Sequence, residues 1–123
     1  MARILIAEDD EAIRRLVARG LTSDGHVVAT APDGAEALRM LDERPDRFDL
    51  LLTDIRMPIM DGIALALATA REHPHLPILL MTGFADQRER TRGLEALVHD
   101  VIAKPFSVDQ IKCAVREALV QRH

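Results

Sequence analysis

The sequence predicts a doubly wound α/β domain, a parallel sheet with helices on both faces, and three observations carry that prediction. Five short apolar runs, Ile4-Leu5-Ile6-Ala7, Val27-Val28-Ala29, Leu50-Leu51-Leu52, Ile78-Leu79-Leu80-Met81 and Val101-Ile102-Ala103, are too short for helices. They read as strands buried on both faces. They alternate with segments of helical spacing across short connections, which implies parallel strands joined by right-handed crossovers. Four of the runs lead directly into reactive side chains: Glu8-Asp9, Asp54, Thr82 and Lys104. In an open α/β sheet the crevice beyond the carboxyl ends of the strands is where ligands bind.

Each element follows from its own residues. The first strand stops at Glu8-Asp9-Asp10. A helix with Ile13, Leu16, Val17 and Leu21 as its apolar stripe comes next, with Arg14, Arg15 and Arg19 off it. Asp24-Gly25 ends that helix, and the second strand begins at Val27. Asp33 caps the second helix, and Glu36 stands at the capping-box spacing. Ala37, Leu38 and Leu41 make its apolar face, and Pro45 stops it. The third strand ends on Asp54, and Pro58 and Gly62 bound the following loop. Gly62 opens a helix through Ala64, Ala66, Leu67 and Ala70, closed before Pro74. The fourth strand ends on Thr82-Gly83. The stretch 86–97 carries Arg88, Arg90, Arg92 and Gly93 with little apolar stripe, and predicts a loosely held helix with a solvated face. The fifth strand ends on Lys104-Pro105. The last helix shows Val108, Ile111, Val115, Ala118 and Leu119, with Asp109 in its first turn and Arg116 and Arg122 near its end, as the helix dipole prefers.

Composition bounds the function. The chain has 123 residues, the size of one domain, which we expect to span 1–123. Apolar residues at 48% and charged residues at 29% fit a folded globular chain rather than a disordered one. A net charge of −4 offers no basic footprint, so nucleic acid is not an expected partner. No signal peptide or membrane span is legible, and the single Cys113 rules out an internal disulfide, so a cytoplasmic location is expected. Cys113 falls off the apolar stripe and has no adjacent base, which predicts a partly exposed, unreactive thiol. His26, His73, His75 and His123 lie in loops or at a terminus and read as solvated, and His99 reads as structural.

A hydroxyl, an ammonium and three carboxylates at one rim are not what a core demands. Two like charges about 4 Å apart cost on the order of 4 kcal/mol at an effective dielectric near 20. A cation relieves that cost, and a small oxygen-lined site suits Mg²⁺. A divalent ion, a carboxylate nucleophile, a hydroxyl donor and a lysine are the parts that phosphoryl transfer to an aspartate requires.

These residues resemble those of response-regulator receiver domains, and the chain is similar to the chemotaxis (CheY-like) receiver over its whole length. The matching pieces are Ile4 to Asp9, Asp54 through Met57-Pro58 to Asp61-Gly62, Thr82, and Lys104-Pro105-Phe106. The resemblance implies a flavodoxin-like (βα)5 fold with strand order 2-1-3-4-5. It implies Mg²⁺-dependent phosphorylation of Asp54 by a histidine kinase or histidine phosphotransferase. It also implies metal ligation by Asp9, Asp54 and the backbone carbonyl of Arg56, a contribution from Glu8 through water, and contact of Lys104 with the phosphoryl group ahead of a cis Pro105. Asp10 falls one place outside the acidic pair and reads as a helix-start acid.

The sequence departs from that family in one place. Three positions before the lysine, where the family usually has an aromatic residue, stands Val101, and the chain has no Tyr or Trp. Coupling of Thr82 to an aromatic ring there cannot operate, and Phe84 or the stretch 86–97 is expected to carry the switch instead. Arg56 and Phe84 flank the path of a hydrolytic water, and their bulk predicts slow self-dephosphorylation. Thr82-Gly83-Phe84-Ala85, Val101 and the opening strand resemble stand-alone receivers of the CpdR type, which implies an adaptor role for the ClpXP protease. The expected output is protein–protein recognition. The alternatives are a receiver cut from a larger transcriptional regulator and a small Mg²⁺-dependent phosphatase.

Overall fold

Strand alternation sorts the apolar side chains into two sets, and the two sets build two cores. The computed structural model describes residues 1–83, 91–94 and 96–120. Its elements are β1 (Arg3–Ala7), α1 (Glu11–Ser23), β2 (Val27–Ala31), α2 (Gly34–Glu43), β3 (Leu50–Asp54), α3 (Gly62–Glu72), β4 (Ile78–Thr82), β5 (Asp100–Ala103) and α4 (Val108–Val120). All strand pairs are parallel, in the order β2-β1-β3-β4-β5. Leu5, Leu51, Ile78 and Leu80 face α2 and α3, where they meet Ala37, Leu41, Leu65 and Ala66. Ile4, Ile6, Leu50, Leu52, Leu79 and Met81 face α1 and α4, where they meet Val17, Leu21, Ile111 and Val115. A fully buried Leu or Ile contributes about 1.5–3 kcal/mol relative to exposure, so each face supplies a core of its own.

Helix starts are set by side chains that accept from free backbone N–H groups. Asp10 Oδ1 accepts from Ala12 and Ile13 at 2.9 and 3.1 Å. Asp33 and Asp61 accept from Glu36 and Ala64 at 2.8 and 2.9 Å. Glu36 does not reach back to complete the capping box; it turns to Arg39, at 3.0 Å. A reciprocal pair does form at α4, where Ser107 Oγ accepts from Gln110 N at 3.1 Å and Gln110 Oε1 accepts from Ser107 N at 2.7 Å.

Gly62 is held for its missing Cβ: a methyl there would collide with the Asp54 carbonyl oxygen, and its N–H donates to Ile55 O at 2.7 Å. That contact folds the start of α3 directly beneath the end of β3.

Several expected faces turn differently. Leu16 is 51% exposed and Leu67 45% exposed, although both lie at helical spacing from buried residues. The contact stripes run through Val17 and Leu21 on α1 and through Leu65, Ala66 and Thr69 on α3. A side chain one position off such a stripe is rotated by about 100°. His73 is not solvated: it is 5% exposed, caps α3, and its Nε2 lies 2.9 Å from Asp42 Oδ1 on α2. His26 is half-buried, its Nδ1 accepting from Ala2 N at 3.2 Å. Half of the helix expected over 86–97 falls outside the described residues, as do Phe84, Arg88, Arg90, Arg122 and His123; residues 91–93 form a turn. Cys113 is exposed. Among the described residues no helix is long and apolar enough to cross a membrane.

Candidate functional site

The strand order places β1 and β3 side by side, and the chain leaves β1 for β2 on one side and β3 for β4 on the other. Two crossovers diverge there and open a crevice at the carboxyl ends, the switch point of such a sheet. Glu8, Asp9 and Asp54 emerge at that crevice. One ligand atom from each lies within 4.8 Å of the others. Around them is a cleft of about 640 Å³, lined also by Asp10, Ile13, Leu16, Arg56, Gly83, Lys104, Pro105 and Phe106.

The two acids after β1 differ sharply in environment. Glu8 is fully buried and Asp9 is exposed. Glu8 is fixed by its backbone, whose N–H donates to Ala31 O at 3.0 Å and whose carbonyl accepts from Arg14 at 2.9 Å. Its Oε2 accepts from Asp10 N at 3.3 Å. Asp54 is 5% exposed, and its Oδ1 accepts from the N–H of Ile55 at 2.9 Å. Lys104 reaches in from the end of β5, its Nζ 3.1 Å from Asp54 Oδ2 and 3.3 Å from Glu8 Oε1. The Lys104–Pro105 peptide is cis.

The charges respond to this crowding. Burial, then the hydrogen bond and repulsion from Asp54, push the Glu8 carboxyl up to about 8, with Lys104 opposing the rise. Glu8 is therefore the acid of this group that most resists ionisation, and the neighbouring Asp54 carboxylate favours its protonated form. For Lys104, burial works against the ammonium, but the Asp54 and Glu8 carboxylates outweigh it and hold its pKa above the ordinary value. The site carries more carboxylate than one lysine can neutralise, and without a further cation a proton makes up the difference.

Thr82 is placed differently from the other four. It is 1% exposed, and among the described residues its buried Oγ1 has no hydrogen-bond partner. It lines a neighbouring cavity with Thr91, Val98, His99 and Val101 rather than the Asp54 cleft. Val101 itself is half-buried and packs against the α2–α3 core. Asp10 serves as the helix cap described above. Sequence reasoning did not find the Ile55 N–H that fixes the Asp54 carboxylate, nor the apolar wall of Ile13, Leu16 and Phe106. Leu16 gave a signal that pointed to the core, and its place at the rim depends on how α1 is rotated.

Residues 4–116 match the response regulator receiver domain family. Among curated proteins, the response regulator MprA of Mycobacterium ulcerans (strain Agy99) is 38% identical over 120 residues, which cover 98% of this chain and 50% of that protein. The chain thus spans about half the length of the curated relatives it matches. Among solved structures, a response regulator receiver domain protein from Clostridium thermocellum superposes with a TM-score of 0.90 at 25% identity, covering 98% of this chain and 96% of the other. The chemotaxis response regulator CheY4 of Vibrio cholerae gives a TM-score of 0.86 at 29% identity, covering 97% of this chain and 99% of the other. With the parallel sheet in order 2-1-3-4-5 and the family match over nearly its whole length, this chain belongs to the response regulator receiver domains of two-component signalling.

Proposed function

We propose that Asp54 is the phosphoryl acceptor of this receiver, that 1–123 acts as one receiver unit, and that its donor is a phosphohistidine on a histidine kinase or histidine phosphotransferase. The observation that carries the reading is the Lys104 ammonium, 3.1 Å from Asp54 Oδ2 at the mouth of the β1–β3 crevice. A carboxylate oxygen of Asp54 attacks phosphorus; the new bond is P–O and the bond broken is P–N of the donor imidazole, which leaves with a proton. The carboxylate is fixed in position by the Ile55 N–H, so little reorganisation precedes attack. Lys104 sits where negative charge accumulates on the transferred oxygens. For Thr82, at the end of the neighbouring strand, the proposed role is donation to a phosphoryl oxygen on Asp54, which requires its hydroxyl to turn from the cavity it now lines.

The donor set fits Mg²⁺. Three carboxylate oxygens within 4.8 Å of one another, with ionisation of Glu8 opposed by burial and by Asp54, make a hard oxygen site that a cation would relieve. Asp9, Asp54 and the Arg56 carbonyl would hold the ion, with Glu8 acting through water. When bound, the metal supplies charge neutralisation for the phosphoryl oxygens.

Incubation with acetyl phosphate and Mg²⁺, followed by intact mass, tests the proposal. One added phosphoryl group is expected, absent in Asp54→Ala and without Mg²⁺. Steady phosphate release with no adduct would favour the Mg²⁺-dependent phosphatase instead.

For the output, relatives twice this chain's length favour a receiver that governs a further module, as in a larger regulator. A ClpXP adaptor role of the CpdR type is supported only by Thr82-Gly83-Phe84-Ala85, the opening strand and Val101. Phosphorylation-dependent delivery of a substrate to purified ClpXP is its test, and no change in degradation rate would remove it.

A further inference from the structure

Helices in a parallel α/β domain run against the strands, so the carboxyl ends of α2 and α3 lie at the rim opposite Asp54. Three metal-binding side chains meet there. Asp42 is in the last turn of α2, Glu72 is the last residue of α3, and His73 is its C-cap. One ligand atom from each lies within 4.8 Å of the others. We propose that Asp42, Glu72 and His73 form a second cation site, selective for a transition-metal dication of the Zn²⁺ class.

The imidazole is what distinguishes this site from a surface patch of acids. The His73 side chain is 6% exposed and its Nε2 is directed at Asp42 Oδ1 at 2.9 Å, while its backbone N–H, donating to Thr69 O at 2.7 Å, ties it to the end of α3. Donors bound to one tetrahedral Zn²⁺ at about 2.0–2.2 Å stand roughly 3.3–3.5 Å apart. The Nε2–Oδ1 separation is already close to that, so the ion enters with a small opening of the pair. The Glu72 side chain, 43% exposed, has room to swing in as third ligand, and water completes the shell.

Electrostatics at this rim call for a cation. A helix carboxyl end carries partial negative charge, and acids there are disfavoured. Two such ends converge here, each bearing carboxylates, and α2 has no basic residue in its last turn. Arg39 is engaged with Glu36 and Glu43, and Arg71 approaches Glu72 only at 4.0 Å. Ligand chemistry sets the choice of metal: an imidazole with two carboxylates suits Zn²⁺, whereas the all-oxygen set around Asp54 suits Mg²⁺.

Zn²⁺ titration by calorimetry, on the full chain with Mg²⁺ in large excess, tests the site. Tetrahedral Co²⁺ absorption serves as a second readout. One Zn²⁺ per chain is expected, with affinity reduced about tenfold or more in Glu72→Gln and in Asp42→Asn, as loss of a ligand or its support typically costs. An Asp9→Asn/Asp54→Asn variant should bind Zn²⁺ like the wild type. Glu72→Gln changes a half-exposed side chain, so it reports even if replacing the buried His73 impairs folding. No saturable Zn²⁺ binding would overturn the proposal. So would binding that survives Glu72→Gln and Asp42→Asn but is lost in Asp9→Asn/Asp54→Asn, or in His75→Ala, which removes the exposed imidazole two residues on.

Discussion

At the residue scale, Glu8 is the group whose ionisation the fold most opposes. Its pKa rises from 4.5 to about 8, so between those values the folded protein binds a proton that the unfolded chain releases. The unfolded state then holds fewer protons, and stability falls as pH rises through that window. In metal-free buffer we expect the urea midpoint to drop between pH 5 and pH 8.5 for the wild type. Glu8→Gln should flatten that dependence; an unchanged slope in the variant would show that another group is responsible. Asp9, one position later, is exposed and carries no such burden. Lys104 bridges both buried acids, so Lys104→Met should reduce phosphoryl uptake at Asp54 by at least about tenfold, the order of one lost electrostatic contact in a buried site. Rates from intact-mass time courses, compared with and without Mg²⁺, would measure it.

At the element scale, the β3–α3 connection holds the geometry of Asp54. Asp54 ends the strand, Ile55 N–H fixes its carboxylate, and Gly62 brings the first turn of α3 against the Asp54 carbonyl. Between them Ile59, 84% exposed at φ 70°, turns the loop, with Met60 N–H donating to Pro58 O at 2.7 Å. A non-glycine residue at positive φ is uncommon, and for a β-branched one it is strained. Two substitutions separate these effects. Gly62→Ala places a methyl on backbone atoms that cannot give way, and should destabilise by about 3 kcal/mol or more. Ile59→Gly should relieve strain and stabilise by up to about 1 kcal/mol, offset in part by the greater chain entropy of glycine. Chemical denaturation of both variants checks the pair; a stable Gly62→Ala would mean the connection is looser than its contacts.

At the scale of the whole molecule, the sheet is a partition between two cores, and its central strand serves both. Leu51 is buried against α2 and α3, and Leu52 against α1 and α4. Leu52→Ala should cost about 2–5 kcal/mol, the range for a buried leucine. Leu16→Ala, at a position half exposed in the Asp54 cleft, should stay within about 1 kcal/mol while altering the rate of transfer from a protein donor but not from acetyl phosphate. Equal rates from both donors would show that Leu16 does not face the partner. The tie between α1 and α4, in which Arg116 engages Asp24 through two nitrogens, joins helices far apart in the chain on the same face of the sheet.

The sequence alone determined the strands, their alternation with helices, and the reactive residues at their ends. Each of these is legible locally: a short apolar run bounded by turn residues and alternating with helical spacing reads as a buried strand, and the residues just after it come out at the sheet's carboxyl rim. Asp54, Lys104 and the Glu8-Asp9 pair were legible for that reason. Tertiary structure decided what depends on rotation and on neighbours distant in the chain. It buried Glu8 and exposed Asp9, turned Leu16 out to the cleft, and set Thr82 facing a different cavity from Asp54. It also drew His73 out of solvent onto Asp42, because α2 and α3 pack side by side on one face and bring together residues that are 31 apart in sequence.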